Sequence, residues 1–238
     1  MKLLEEMSWP QVEAGLAATR TVILPVGATE EHGPHLPTIT DTLQAMQVAR
    51  AVAEGRDVFL APPVHYGVCR STRGFPGTIT VGHDALRAYV RDIVLSLADS
   101  GLTRVLILTG HAGGQHMAAL EEACQMAVEE RDFRVSLVSL FDLIDFSEVK
   151  TPHDGHAGEV ETSLMMAIRP DLVKGRPAGH FPKRPRFMVM RDVRHLMGNG
   201  IMGDPKPASA EKGKQYFDMA VQGVLKALDE LESDEWDK

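Results

Sequence analysis

The chain has 238 residues, of which 44% are hydrophobic and 24% charged, with a formal net charge of -8. That length suits one α/β domain built on one core, and the acidic balance argues against a nucleic-acid or anionic-membrane surface, either of which needs a basic face. No apolar run approaches the roughly 18 residues of a membrane span, and the first residues carry Glu5, Glu6 and Glu13 where a signal peptide would be apolar, so a cytoplasmic location is expected.

The first strong element is an apolar run at 21–27, which reads as a buried strand. Further strand-like runs fall at 57–64, 103–109 and 133–140, and most of the segments between them show helical periodicity. That alternation is the mark of βαβ units and a mainly parallel sheet. Helices are expected from Thr40 or Asp41 to Gly55, from Asp84 to Ser100 and from Gln115 to about Glu130. A short apolar helix follows at 159–168, stopped by Pro170, and a terminal one at 210–232. In the helix from Asp84, residues Leu86, Tyr89, Val90, Ile93, Val94 and Leu97 form the inward stripe, Asp84 caps the start and Gly101 ends it. Three long irregular stretches, 65–83, 150–158 and 175–209, hold most of the remaining histidines and are read as walls of a site. Cys69 and Cys124 are far apart and lack C-x-x-C spacing, so both are expected to be free thiols.

The run at 21–27 leads into VGATEEHGPHLPTITD at 26–41, which places Glu30, Glu31, His32, His35 and Asp41 in a loop stiffened by Pro34 and Pro37. Glu30 and His32 are two residues apart on an extended segment and project to the same side. His111 follows a strand end and is flanked by Gly110, Gly113 and Gly114. A histidine-bearing loop, His153 to His156, opens a helix carrying Glu159 and Glu161. Glu30, His32, Asp41, His111 and one of the later glutamates make five ligands, enough for two cations if one carboxylate bridges. Two divalent ions carry four positive charges; three carboxylates offset three, and a bridging hydroxide, the expected nucleophile, offsets the last. Glu31 and His35 fit groups that orient the ligands.

These segments, with Phe75-Pro76-Gly77-Thr78 and the stretch from Met202 to Gly213, resemble the creatininase (creatinine amidohydrolase) family over nearly the whole chain. The resemblance implies an α/β fold, a three-layer α/β/α sandwich around a mainly parallel central sheet, in one domain spanning 1–238. It also implies a binuclear metal centre and hydrolysis of a non-peptide or unusual amide C–N bond. Glu30, Asp41 and His111 would hold one metal, His32 and Asp41 the other, and His156 would be the catalytic histidine. One departure is Gly113, which stands where creatininase has a glutamate ligand to the second metal. Glu161 is the expected replacement and Glu159 its competitor, since the two point about 200° apart around a helix. Another departure is in the creatinine pocket, whose two tryptophans and one aromatic correspond to Phe141, Pro152 and Ala112, so creatinine is not the expected substrate. Other branches of the family include a deformylase acting on a formylaminopyrimidine nucleotide and a peptidase that trims a modified redox-cofactor precursor.

The expected function is therefore metal-dependent hydrolysis of an amide, cyclic amide or formamide of a small molecule, with His156 stabilising the oxyanion or protonating the departing nitrogen. A metallopeptidase and a non-catalytic metal-dependent binding protein are the rival classes. With no thiolate in the ligand set, zinc, manganese, iron and cobalt all fit, two per subunit. Ser71, Arg73 and Ala112 are expected at the substrate; Arg70 and Arg73 suit a carboxylate or phosphate. The basic cluster Lys183, Arg184, Arg186, Arg191 and Arg194 reads as subunit contact and surface. The family's ring-like or stacked assemblies imply a homo-oligomer, a hexamer among the options.

Overall fold

A computed structural model describes all residues except 184, 186, 234 and 236–238. In chain order its elements are β1 (Lys2–Leu3), α1 (Trp9–Gly15), β2 (Thr21–Val26), α2 (Thr40–Gly55), β3 (Phe59–Leu60), α3 (His83–Asp99), β4 (Arg104–Thr109), α4 (Gly114–Glu130), β5 (Arg134–Ser139), α5 (Glu159–Ile168) and α6 (Ala210–Glu232). The strands form one sheet in the order β1-β3-β2-β4-β5 with every pair parallel. All of β2 is buried. Val22, Leu24 and Val26 pack among side chains of α3 and α4, whereas Ile23 packs with α2, α5 and α6. Burial on both faces is why this strand reads as a continuous apolar run, and it makes the molecule a three-layer α/β/α sandwich.

The strand order positions the site. From β2 the chain crosses through α2 to β3 on one side, then through α3 to β4 on the other side of β2. The connections part above the C-terminal ends of β2 and β4, leaving the crevice where open α/β sheets place their chemistry. The register ends there, with Val26 opposite Thr109.

Several local expectations need correcting. The run at 57–64 pairs as a strand only at Phe59–Leu60, with one further bridge between Val26 and Val64. β1 and α1 carry too few apolar residues to stand out, although Ser8 and Gln11 close the start of α1 through a 2.8 Å bond from the Ser8 N–H to Gln11 Oε1. Asp84 does not cap α3: Gly82 holds that position, and Asp84 lies in the first turn, 3.2 Å from Arg87. There its charge still suits the helix dipole. Tyr89, expected inward, is exposed, and the buried face of α3 is Leu86, Val90, Val94 and Leu95. Gly101 ends the helix with φ 98°, a conformation that favours glycine. On α6, Tyr216, Ala220, Val224 and Leu228 are buried against the core. No helix among the described residues is long and apolar enough to cross a membrane.

Candidate metal centre

After β2 the chain makes a compact loop and enters α2, so that Asp41 sits in the first helical turn. The Glu30 N–H donates to Thr38 O (2.9 Å), and Thr40 donates to Pro37 O through its N–H (3.2 Å) and its hydroxyl (2.7 Å). The β4 exit comes very close to this turn: a Cβ at Gly110 would lie 2.1 Å from the Asp41 carbonyl oxygen. Only glycine permits that approach, and it brings His111 beside Asp41.

The structure gathers all five residues expected as ligands. Asp41 lies between the two histidines, with Oδ1 2.9 Å from His32 Nε2 and Oδ2 3.1 Å from His111 Nδ1. Glu30 Oε2 is 3.0 Å from His111 Nδ1, and Glu161 Oε1 is 3.5 Å from His32 Nε2. Donor atoms of His32, Asp41 and Glu161 fall within 4.8 Å of one another. Glu159 is committed elsewhere: it pairs with Lys212 and accepts 2.8 Å bonds from the Thr151 N–H and hydroxyl.

The tautomers are set by neighbours. His32 Nδ1–H donates to Glu30 O (3.0 Å) and His111 Nε2–H to Val68 O (3.2 Å), which turns His32 Nε2 and His111 Nδ1 inward as acceptors. Burial pushes the His116 imidazole down to about 3, so it is neutral. It accepts from the Val68 N–H (3.3 Å) and donates to Thr109 Oγ1 (3.2 Å), which in turn donates to His111 O (2.9 Å). Thr72 donates to Glu30 Oε1, and the Ala157 N–H donates to Glu161 Oε2.

What remains is a set of buried atoms that lack hydrogen-bond partners among the described residues: Glu30 Oε2, Asp41 Oδ2 and His32 Nε2. Unpaired buried carboxylates are costly, and their convergence fits a cation. The charges are already strongly coupled. Burial alone would raise the Glu30 carboxyl, but His156 and His111 hold it at about 2; burial opposes ionisation of Asp41 as well, and His32 and His111 keep it well below the usual range. Against the same burial penalty, Asp41 raises His32 and Glu30 raises His111. The residues fit divalent cations: Glu30, Asp41 and His111 would hold one, and His32, Asp41 and Glu161 would hold another.

His156 stands beside this cluster, its ring centroid 4.4 Å from that of His32. Its Nε2–H donates to Glu31 O (2.8 Å), leaving Nδ1 with no hydrogen bond among the described residues. Glu31 Oε2 accepts from the Gly33 N–H (2.8 Å), and His35 Nε2 bonds to Thr162 Oγ1 (2.9 Å), so both shape the loop.

The cluster opens into a cleft of about 560 Å³ that Arg70, Ser71, Ala112, Phe141, Phe146 and Met202 help to line. Ser71 and Ala112 stand where expected; Arg73 does not, because its guanidinium is held by the Arg191 carbonyl, and Arg70 takes the place at the cleft. Pro152 is not among the lining residues. Of the basic cluster, Arg184 and Arg186 lie outside the described residues. Arg194 stacks on Phe75 at 3.6 Å from the ring centroid, and none of Lys183, Arg191 and Arg194 lines the cleft. Sequence reasoning missed Thr72, His116 and Asp154. His116 and Thr72 had no signal beyond proximity to the motifs. Asp154 accepts 2.9 Å bonds from the Glu159 and Val160 N–H groups at the start of α5, a cap placed too far upstream for the usual spacing.

A family model described as creatinine amidohydrolase (creatininase) matches residues 5–228. The mycofactocin precursor peptide peptidase of Mycolicibacterium smegmatis is 35% identical over 225 residues, covering 90% of this chain and 86% of that one. Creatinine amidohydrolase of Pseudomonas putida is 32% identical over 251 residues, covering 94% of this chain and 95% of its own. A solved structure of a creatininase mutant in a zinc-zinc form superposes with TM-score 0.89 at 30% identity, covering 97% of this chain and 98% of that chain.

Proposed function

The chain belongs to the creatininase family, and from that premise we propose that it is a metal-dependent amidohydrolase cleaving an amide, cyclic amide or formamide C–N bond of a small molecule. One observation carries the reading: Asp41, buried between His32 (2.9 Å) and His111 (3.1 Å), behind a cleft that Glu30, His111 and Glu161 line. Divalent cations held there, whether zinc, manganese or iron, would supply the Lewis acidity that polarises a carbonyl and brings the pKa of water toward neutrality.

The chain's own groups do the rest. Glu30, Asp41 and Glu161 provide the negative charge that holds the cations, while His32 and His111 present one nitrogen each in a fixed tautomer. His156 is the proton carrier. With Nε2 tied to the Glu31 carbonyl, Nδ1 is the atom that gives a proton to the departing nitrogen, which is too basic to leave as an anion. Glu31, which is not among the groups that would hold a cation, favours the protonated imidazole, its Oε1 3.5 Å from His156 Nε2.

A second reading shares this centre. The cleft is lined by Phe141 and Phe146 and has room for more than a compact ring, which suits a peptide tail; the 35% identical relative is by name a peptidase acting on a precursor peptide. Assaying formamides, lactams and short peptides side by side separates the two. For either substrate, His156→Ala is expected to lower kcat by about 10²- to 10⁴-fold with metal content unchanged; normal turnover would remove His156 from the mechanism. We also propose a homo-oligomer, to be measured by sedimentation.

A further inference from the structure

We propose that Cys69 is a thiolate ligand of the cation held by Glu30 and His111, so that this half of the centre has oxygen, nitrogen and sulfur donors. The inference rests on the metal-centre reading above. Donor atoms of Glu30, Cys69 and His111 lie within 4.8 Å of one another. Cys69 is 1% exposed and Glu30 3%, and Glu30 Oε2 lies 3.0 Å from His111 Nδ1.

The backbone is built to hold the sulfur there. The Cys69 N–H donates to Thr80 Oγ1 (2.9 Å), and the carbonyl of the preceding residue, Val68, accepts from His111 Nε2 (3.2 Å). One turn of the 65–83 loop thus orients both the imidazole and the thiol. Gly113 leaves room for the contact between His111 and this loop. A Cβ at that position would sit 2.7 Å from His111 Nε2 and 3.4 Å from Val68 O, so no carboxylate reaches the centre from residue 113 in this arrangement.

On coordination the S–H bond breaks, a sulfur–metal bond forms and the proton leaves to solvent; no electron is transferred. A thiolate is a soft donor and favours zinc, cobalt or iron over manganese. Cys124, the other cysteine, lies on α4 among core side chains and serves as an internal control.

The test is to strip the protein, load it with cobalt(II), measure bound cobalt directly, and record the near-ultraviolet thiolate-to-cobalt charge-transfer absorption. Wild type and Cys124→Ser are expected to show it. Cys69→Ser should bind cobalt without it, and its zinc affinity should fall by at least about tenfold while manganese affinity stays within about threefold. Cobalt bound without the absorption in wild type, or the absorption persisting in Cys69→Ser, overturns the proposal. Should Cys69→Ser fail to fold, zinc X-ray absorption on wild type and Cys124→Ser decides it. A sulfur scatterer at about 2.3 Å supports the assignment and its absence overturns it. If wild type binds no cation at all, the metal-centre reading falls with it; metal bound without sulfur removes Cys69 alone.

Discussion

Two of the three segments that supply the centre hold their groups in different ways. In the loop from Glu30 to Asp41 the acidic and histidine side chains are buried and the backbone bonds to itself, with one positive φ, at Gly33. The segment from His153 to Glu161 includes two non-glycine residues with positive φ, His153 at 55° and Ala157 at 50°. It is held from outside by the Met202 backbone bonding to Gly155 and His156, and from within by Asp154, which accepts from the Glu159 and Val160 N–H groups. Strain that survives in a fold is maintained by its surroundings and gathers where groups must be aimed. On the proposed reading, the first segment makes the metal site, and the second aims His156 and Glu161 at it.

The largest expected effect breaks the first segment. In Asp41→Asn one oxygen must serve where two did, and the amide nitrogen faces His32 or His111. Metal affinity should fall by more than about 100-fold, beyond the 10–100-fold typical of groups one step removed from the metal, with turnover lost on every substrate. The measurement is bound metal after dialysis together with circular dichroism. Retention of both cations would show that Asp41 does not join the sites.

The same contrast explains what was legible beforehand. Glu30, His32 and Asp41 could be read because cation-binding groups crowd a short stretch after a strand, and the apolar run of β2 announced the sheet edge that presents them. For α5 the residue pattern offered two glutamates, and only the family resemblance favoured Glu161; the physical reason is Lys212, 53 positions away, pairing with Glu159. Arg73 is kept off the cleft lining by the Arg191 carbonyl, which is also remote in sequence. The edge strand β1 was missed because two residues leave no periodicity, and Tyr89 was placed inward because a helical stripe does not reveal its own width. Contacts across the chain, rather than local pattern, decided each of these.

A smaller effect sharpens the second segment through pH. Burial pushes the Asp154 carboxyl up to about 6, above its ordinary 3.8, against the Val160 and Glu159 N–H groups that favour its charge. A group whose folded pKa is raised contributes stability that is complete below the unfolded value and lost as pH rises through the folded one. The window is therefore pH 3.8 to about 6, and the amount about 3 kcal/mol. Asp154→Asn cannot titrate, so denaturant stability of wild type relative to this variant should fall across that window. Parallel profiles would mean that Asp154 keeps its ordinary pKa.

The smallest effect comes from the strain itself. An L-residue in the left-handed region costs roughly 1–2 kcal/mol, and glycine there escapes most of that while adding freedom to the unfolded chain. Ala157→Gly should thus stabilise by up to about 1 kcal/mol, a rise in Tm of about 2–4 °C for a domain of this size. The bond from residue 157 to Glu161 comes from the backbone N–H and survives the substitution, so metal content should not change. If the variant is instead less stable, the buried Ala157 methyl contributes more by packing than its conformation costs. The second segment would then be held by contact rather than under strain, and its difference from the first would disappear.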